Sequence, residues 1–253
     1  MDIDTEKVNQ AKQSFNHILD NQKYANIIKD DKHLSLLLSL VDDSGHNKYN
    51  NILDIGTGTG YLTFPLAEIF PTASVCGIDI ADKIVEKNNE VVKKRGILNL
   101  IFKAFDGLKY PFADESFDLI VTRYALHHFP NIDDSIRQMN KLLVKGGKVL
   151  VSDPLRDEKD DRGVIDAFMQ VKKDGHIRFY SLDELDKLFL NHGFTKENQV
   201  ITDMKFPFAK QSEYINIYHE ITDKDRLLYD ITNENDIVWV NHINVGNTVF
   251  VKM

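Results

Sequence analysis

Three glycines stand at alternate positions in ILDIGTGTG, the stretch from residue 52 to residue 60. Because Gly56, Gly58 and Gly60 carry no side chain, the chain can turn sharply there and bring free backbone N–H groups close to a ligand. The Lys-Ser/Thr pair of a phosphate-binding loop does not follow, and Tyr61 takes the place of the third glycine in the dinucleotide fingerprint G-x-G-x-x-G. This spacing favours a ligand smaller than NAD, without a pyrophosphate.

Two aspartates follow the next two apolar runs. Asp79 in GIDI lies about 20 residues past the loop, where a carboxylate can accept from both ribose hydroxyls. Asp106 in AFDGLKYPF can accept from an exocyclic amine such as that of adenine, with Phe105 as an apolar cover. Either aspartate alone is common in a turn. Both together, after a glycine loop, indicate a ligand with a ribose and a base.

Short apolar runs alternate with helical patterns around these residues. NILDI, SVCGIDI, LNLIFKA, FDLIVTR and GKVLVSD read as strands, separated by stretches such as DKIVEKNNEVVKKRG. In that stretch Ile84, Val85, Val91 and Val92 share one helix face, and Gly96 suits a left-handed C-terminal cap. Strands buried on both faces with helical crossovers predict a mostly parallel, doubly wound α/β sheet. Ligands of such sheets bind beyond the carboxyl ends of the strands, where the glycine loop falls.

Composition narrows the possible partners. The 253 residues include 31 basic and 39 acidic side chains, a net charge of -8 without a basic stripe, which argues against nucleic acid and anionic membrane surfaces as partners. No run approaches the ~20 apolar residues of a membrane-spanning helix. The single Cys76 excludes an internal disulfide and a cysteine cluster for metal. We expect a cytoplasmic protein without a metal site.

The motifs ILDIGTGTG, GIDI, KAFDGLKYPFADESFDLIVTRYALHHF and LLVKGGKVLVSDP, in this order, resemble those of class I S-adenosylmethionine-dependent methyltransferases. The chain is most similar to the ubiquinone/menaquinone-biosynthesis group and its small-molecule relatives, over about residues 30–194. The resemblance implies a Rossmann-like seven-stranded sheet, with its last strand antiparallel. It also implies methyl transfer from S-adenosylmethionine to a small-molecule acceptor, with S-adenosylhomocysteine as the product.

The resemblance also implies where the cofactor lies. Asp54 and the three glycines would meet the methionine end, where Asp54 supplies a charge opposite to the ammonium. Asp79 would bind the ribose and Asp106 the adenine amine, while Ile80 packs on the adenine. The predicted cofactor-binding residues are Asp54, Gly56, Thr57, Gly58, Gly60, Asp79, Ile80, Phe105, Asp106, Gly107, Thr122 and Arg123.

His127, His128 and Tyr124 are the candidate catalytic residues, because they follow the fourth strand, near where the methyl group should emerge. An acceptor that loses a proton needs a base, and a histidine with a near-neutral pKa can act as one. Capping or packing against the next helix explains the histidines equally well. Tyr124 supplies a hydroxyl, an aromatic wall or core packing.

Further candidates for the acceptor pocket come from SDPLRDEKDDRG and DGHIRFYSLDEL. Arginine there can bind an anionic acceptor or pair with nearby acidic residues. Ser181 and Glu184 predict a capping box for the helix that follows. The predicted pocket residues are Tyr24, Asp153, Arg156, His176, Arg178 and Trp239.

Segments outside the sheet complete the predicted organisation. Residues 1–45 read as an N-terminal helical cap and 46–253 as the methyltransferase domain, with a helical insertion at about 209–233. The cap and the insertion together suit a lid over the substrate.

Two alternatives remain open. A Rossmann-type NAD oxidoreductase is opposed by Tyr61 and by the lack of a Tyr-x-x-x-Lys pair, and a non-catalytic S-adenosylmethionine-binding protein on the same fold is disfavoured by the intact motifs. The sequence specifies neither the acceptor, nor C-, O- or N-methylation, nor the oligomeric state.

Overall fold

One eight-stranded sheet flanked by helices organises the described part of the chain. The computed structural model describes residues 3–18, 30–42, 48–207 and 212–253. The helices are α1 (Ile3–Ile18), α2 (Asp31–Val41), α3 (Thr63–Ile69), α4 (Asp82–Arg95), a 3-10 turn (Leu126–His128), α5 (Ile132–Leu142), α6 (Val164–Gln170), α7 (Leu182–Asn191), α8 (Ser212–Glu220) and α9 (Asp223–Leu228). The strands are β1 (Asn51–Ile55), β2 (Ser74–Asp79), β3 (Leu100–Ala104), β4 (Phe117–Arg123), β5 (Leu143–Pro154), β6 (Phe194–Pro207), β7 (Ile231–Glu234) and β8 (Ile237–Lys252).

The strand order is β3-β2-β1-β4-β5-β8-β6, and β7 pairs with β8. Strands β1 to β5 pair in parallel, whereas β8 is antiparallel to both β5 and β6. This topology confirms the predicted fold class, with one strand more than the seven expected. The additional strand is β7, which forms a hairpin with β8 because Asn235 and Asp236 both adopt positive φ, 54° and 62°, as a type I′ turn requires.

Apolar side chains fill both faces of the sheet. Ile52 and Leu119 lie in the cluster on one face, and their neighbours Leu53 and Ile120 lie in the cluster on the other, because successive residues of a strand point to opposite faces. At the end of α4, Gly96 adopts the predicted left-handed conformation with φ 65°. None of the described helices is long and apolar enough to span a bilayer.

Strands β6 and β8 continue beyond the carboxyl end of β5. Pro154, the last residue of β5, pairs with Val245, so residues 237–244 of β8 extend past β5 and pair there with β6 and β7. A third apolar cluster, which includes Phe168, Tyr214 and Val240, packs α6 and α8 against this extension. Helices α8 and α9 fall within the predicted insertion, whereas the division of the chain at residue 45 stays a prediction.

Candidate active site

The glycine loop follows β1 at the point where the strand order reverses. Gly56, Gly58 and Gly60 adopt φ of 72°, 51° and 80°, which side chains rarely allow. A Cβ on Gly56 would lie 2.5 Å from the Cβ of Ala125, and one on Gly60 would lie 2.6 Å from the Phe64 ring. The Cβ position of Gly58, by contrast, has no described atom within 4 Å. The loop is therefore packed at its two ends and open at its centre.

Asp79 at the end of β2 holds the centre of this loop. Its Oδ2 accepts from the backbone N–H of Gly58 at 2.8 Å, and its Oδ1 accepts from Ala81 N at 2.9 Å. Burial raises the pKa of Asp79, and these backbone hydrogen bonds act in the opposite direction. Asn88 donates to Gly58 O at 2.8 Å, so both backbone polar atoms of Gly58 have partners.

Asp54 lies in a buried cluster of hydroxyl groups. It is 2% exposed, and its Oδ2 accepts from Thr63 Oγ1 at 2.6 Å. The Thr63 hydroxyl also bonds to the hydroxyl of Thr57. Burial raises the pKa of Asp54 to about 6, against the effect of these hydrogen bonds. This carboxylate therefore changes charge in the range from weakly acidic to neutral pH.

The loop after β3 brings Asp106 and Gly107 near the end of β2. Asp106 is exposed, and its Oδ1 accepts from Leu108 N at 2.8 Å and from Lys109 N at 2.7 Å, which organises a turn. A Cβ on Gly107 would lie 3.0 Å from Ile80. Phe105 packs against the core, with its ring centroid 5.8 Å from that of Tyr110.

The carboxyl end of β4 carries Thr122, Arg123 and Tyr124. Thr122 is 1% exposed, and its Oγ1 has no hydrogen-bond partner among the described residues. The Arg123 guanidinium stacks between Tyr61 and Tyr124, 3.9 and 4.0 Å from their ring centroids. Tyr124 adopts φ 53°, a conformation uncommon for a bulky residue. Burial raises the pKa of its hydroxyl to about 12, so Tyr124 stays protonated near neutral pH.

His127, His128 and His176 form a cluster beside this strand end. The ring centroids of His127 and His128 lie 4.3 Å apart, and those of His127 and His176 lie 5.3 Å apart. His127 Nδ1 lies 2.9 Å from Asp153 Oδ2, and His176 Nε2 lies 2.8 Å from Asp166 Oδ1. Burial lowers the pKa of His127 and of His128 well below the usual range and raises that of Asp153. Both His127 and His128 are therefore neutral at pH 7.

The arginines predicted for the acceptor pocket pair with Glu184. Arg156 Nη2 lies 3.1 Å from Glu184 Oε2, and Arg178 Nη2 lies 2.5 Å from its Oε1. Although burial opposes it, the hydrogen bonds from Arg178, the Ser181 backbone and Arg156 lower the pKa of Glu184 to about 2. The predicted capping box between Ser181 and Glu184 is confirmed.

Two other predicted pocket residues lie apart from this group. Trp239 is on β8 in the extension, where it pairs with Thr232. Its neighbours Val238 and Val240 are buried in the third cluster, so Trp239 points to the opposite face of the strand. Tyr24 lies outside the described residues.

Several residues of the site were not predicted from the sequence. The sequence pattern could have identified Asn88, because it is a polar residue on the buried face of α4 next to Ile84 and Val85. Nothing in the sequence singles out Thr63, since a threonine at the start of a helix is common. Phe15 of α1 contacts His128 edge-on, with ring centroids 5.2 Å apart, and no local pattern indicates so distant a pair.

Comparisons with known proteins agree with this geometry. A family model described as "Methyltransferase domain" matches residues 16–199. The chain is 30% identical over 145 residues to the methyltransferase YcgJ of Bacillus subtilis, covering 55% of each protein. It is 31% identical over 126 residues to demethylmenaquinone methyltransferase of Staphylococcus aureus, covering 49% of this chain and 52% of that one. The matches thus span about half the length of these curated relatives.

Solved structures share the fold. The crystal structure of YcgJ has a TM-score of 0.74 at 21% identity and covers 87% of this chain and 98% of that chain. A phosphoethanolamine N-methyltransferase of Haemonchus contortus, in complex with S-adenosyl-L-methionine, has a TM-score of 0.64 at 18% identity, covering 94% of this chain and 60% of that one. The family model and the shared fold confirm the resemblance found in the motifs: the chain belongs to the methyltransferase domain family, with the class I fold.

Proposed function

We propose that this chain transfers a methyl group from S-adenosylmethionine to a small-molecule acceptor. The observation that carries the proposal is the glycine loop, which is open at Gly58 and held there by Asp79. A backbone that is free of side chains beside a buried carboxylate suits a ligand with a ribose. The cofactor named for the Haemonchus contortus relative is consistent with this site.

The residues at the carboxyl edge fit the parts of this cofactor. Each carboxylate oxygen of Asp79 has a second lone pair, so the ribose hydroxyls can donate to it without displacing Gly58 or Ala81. Asp54 supplies a negative charge for the ammonium of the methionine end. The hydroxyl of Thr122, for which the described part of the chain offers no hydrogen-bond partner, and the guanidinium of Arg123 suit the carboxylate of that end.

Bound S-adenosylmethionine would supply an activated methyl group for direct displacement by a nucleophile. The protein then needs to position the acceptor and exclude water, and it needs a base only for an acceptor that loses a proton. We propose the pair His127 and His128 as that base. Both are neutral at pH 7, although burial lowers their pKa well below the near-neutral value expected from the sequence, which makes each a weaker base, and Asp153 contacts His127 Nδ1 and orients that ring.

A small-molecule acceptor is favoured over a macromolecule by what surrounds the site. Val8 and Ala11 of α1 lie against Gly107 and Gly175, and strands β6 and β8 extend past the carboxyl end of β5. The net charge of -8 disfavours nucleic acid. We expect this reaction in the cytoplasm.

Calorimetry with S-adenosylhomocysteine tests the proposal. We expect the wild type to bind it, and Asp79→Ala to weaken binding by about 1 to 3 kcal/mol because charge-assisted hydrogen bonds are lost. Asp114→Ala is the matched control, since Asp114 is exposed and precedes the amino end of β4, at the opposite edge of the sheet. Equal affinities of wild type and Asp79→Ala would remove the ribose assignment. Binding without methyl transfer to any of a broad panel of acceptors would favour the non-catalytic alternative.

A further inference from the structure

We infer that His33, Tyr61 and Tyr124 are positioning residues, which hold the Arg123 guanidinium so that it recognises the carboxylate of the cofactor's amino-acid end. The inference rests on the proposed function, which assigns that end to this site. Arg123 ends β4 beside the glycine loop, since a Cβ on Gly56 would lie 2.5 Å from the Cβ of Ala125, two residues further along.

Two aromatic rings fix the plane of the Arg123 guanidinium. It lies between Tyr61 and Tyr124, 3.9 and 4.0 Å from their ring centroids. Such stacking uses the faces of the cation, whereas its N–H groups point outward in its plane and match the two oxygens of a carboxylate. A guanidinium with a fixed plane also loses less freedom when a ligand binds, which favours the bound state.

Tyr124 is held against Arg123 by its backbone and by His33. Successive residues of a regular strand point to opposite faces, so a continued strand would direct Tyr124 away from Arg123. The φ of 53° at Tyr124 ends this alternation, and its N–H donates to Ser152 O at 2.8 Å. The His33 ring lies against the Tyr124 ring, with centroids 5.9 Å apart and planes inclined by 32°. His33 of α2 therefore supports the side chain that covers Arg123.

A buried hydrogen-bond network fixes His33 in turn. Asn247 Nδ2 donates to Val200 O at 3.1 Å, and because only the amide nitrogen can donate to a carbonyl, Asn247 Oδ1 faces His33. His33 Nε2, 2.9 Å from that oxygen, therefore carries a hydrogen and donates it, and Ser152 Oγ donates to the same oxygen at 2.8 Å. Burial lowers the pKa of His33, so the ring is neutral at pH 7 and adds no second cation beside Arg123.

The other ring on Arg123 is anchored at the same end of α2. The Tyr61 hydroxyl donates to the backbone oxygen of Asp30, the residue that caps α2. The Asp30 side chain accepts from His33 N at 3.0 Å. The first turn of α2 thus holds Tyr61 through Asp30 and Tyr124 through His33, so one backbone segment sets both sides of the guanidinium.

Two ligands that differ only in the carboxylate test this arrangement. Decarboxylated S-adenosylhomocysteine, with a 3-aminopropyl chain on sulfur, keeps the adenine, the ribose and the ammonium. We expect calorimetry of the wild type to show about ten-fold or more tighter binding of S-adenosylhomocysteine, because the analogue lacks the charge-assisted hydrogen bonds to Arg123. Arg123→Gln should lose this preference.

Variants of the positioning residues leave Arg123 in place and should still reduce the preference. We expect His33→Ala and Tyr61→Leu to lower it by about three-fold or more, through weaker binding of S-adenosylhomocysteine alone, because a loosened guanidinium must be ordered on binding. Tyr61→Phe keeps the ring and should restore most of the preference. Lys32→Ala, at the exposed position next to His33, is the control and should match the wild type.

The ratio of the two affinities separates positioning from a general effect on structure, since a disturbed fold weakens both ligands alike. Equal losses for both ligands in His33→Ala and Tyr61→Leu would overturn the positioning role, and Tyr61→Leu decides alone if His33→Ala does not fold. A wild type that binds both ligands equally would overturn the inference and leave the proposed function standing. Binding of neither ligand would overturn both.

Discussion

Asp54 is the residue whose charge the structure ties most directly to ligand binding. Its carboxylate is enclosed by Thr57 and Thr63, with Asp79 and Arg123 as the charged groups nearby. Because its pKa is raised to about 6, a fraction of the ligand-free protein holds Asp54 neutral in weakly acidic solution. A ligand that brings an ammonium favours the ionised form and must then displace the proton.

Binding of S-adenosylhomocysteine should therefore depend on pH. Above the raised pKa the affinity is at its maximum, and below about pH 6 it should fall by up to about ten-fold per pH unit, since binding releases a proton. Calorimetry at pH 5, 6 and 7 measures this slope. Asp54→Asn keeps an acceptor for Thr63 but has no charge, so it should bind more weakly at pH 7 and with a flatter pH profile. A variant profile as steep as that of the wild type would rule out Asp54 as the titrating group.

The raised pKa of Asp54 also affects stability. The stability of the ligand-free protein falls as pH rises, whereas the affinity for the ligand rises. The pKa of Asp54 is higher in the folded than in the unfolded state, so the unfolded state loses its proton first as pH rises. Asp54 therefore lowers the stability of the ligand-free protein progressively as pH rises from about 4 to about 6, the full loss remains above pH 6, and a bound ligand with an ammonium offsets it.

Individual site residues were predictable from the sequence where a backbone motif fixes their position. The strand and loop that carry Asp54, Asp79 and the glycines are local in sequence, so the types and spacing of these residues specify their surroundings. Phe15 and Asn88 depend on which distant segments meet, and a single sequence contains no direct record of that. The roles of the predicted site residues stay predictions that the experiments above address.

Among the elements, helix α7 shows how a local signal places residues of the acceptor side. The Ser181 hydroxyl accepts from Glu184 N at 3.3 Å, and Glu184 Oε2 accepts from Ser181 N at 2.8 Å. Glu184 also holds Arg156 and Arg178, so the start of α7 organises both arginines. Pairing with Glu184 satisfies part of their hydrogen-bonding capacity within the protein.

Ser181→Ala should destabilise the protein by about 1 kcal/mol, because an N-terminal N–H of α7 loses its partner. Urea unfolding measures the shift in midpoint. Ser39→Ala is the control, since Ser39 is exposed in the last turn of α2, its hydroxyl donates only to the Leu36 carbonyl of the same helix among its described contacts, and alanine is the better helix former there. An equal midpoint for wild type and Ser181→Ala would show that water replaces the cap without cost.

The strands that form the parallel sheet were predicted correctly because each is a short apolar run bounded by turn residues. Strand β7 was not predicted, since ITNE has mixed polarity and is four residues long. It forms because the turn at Asn235 and Asp236 places it beside β8. The strand propensity of a single segment carries no information about such pairing.

For the whole molecule, ligand binding should appear as added stability. At a concentration 100 times its dissociation constant, S-adenosylhomocysteine adds about 2.7 kcal/mol to the free energy of unfolding. This raises the melting temperature of a protein of this size by about 5 to 10 °C. Differential scanning fluorimetry measures the shift. NAD at the same concentration should give none, because Tyr61 replaces the glycine that a pyrophosphate turn needs. A shift with NAD alone would favour the oxidoreductase.

The continuity of β8 determines whether the extension of β6 and β8 can open separately from the sheet. Sixteen residues run without interruption from the extension into the sheet, where they pair with β5 and β6. Because the extension continues strand β8 and pairs with β6 and β7, we expect it to open together with the antiparallel part of the sheet rather than separately. We therefore expect the extension to keep its position when a ligand binds, because moving it would break backbone pairs that continue into the sheet.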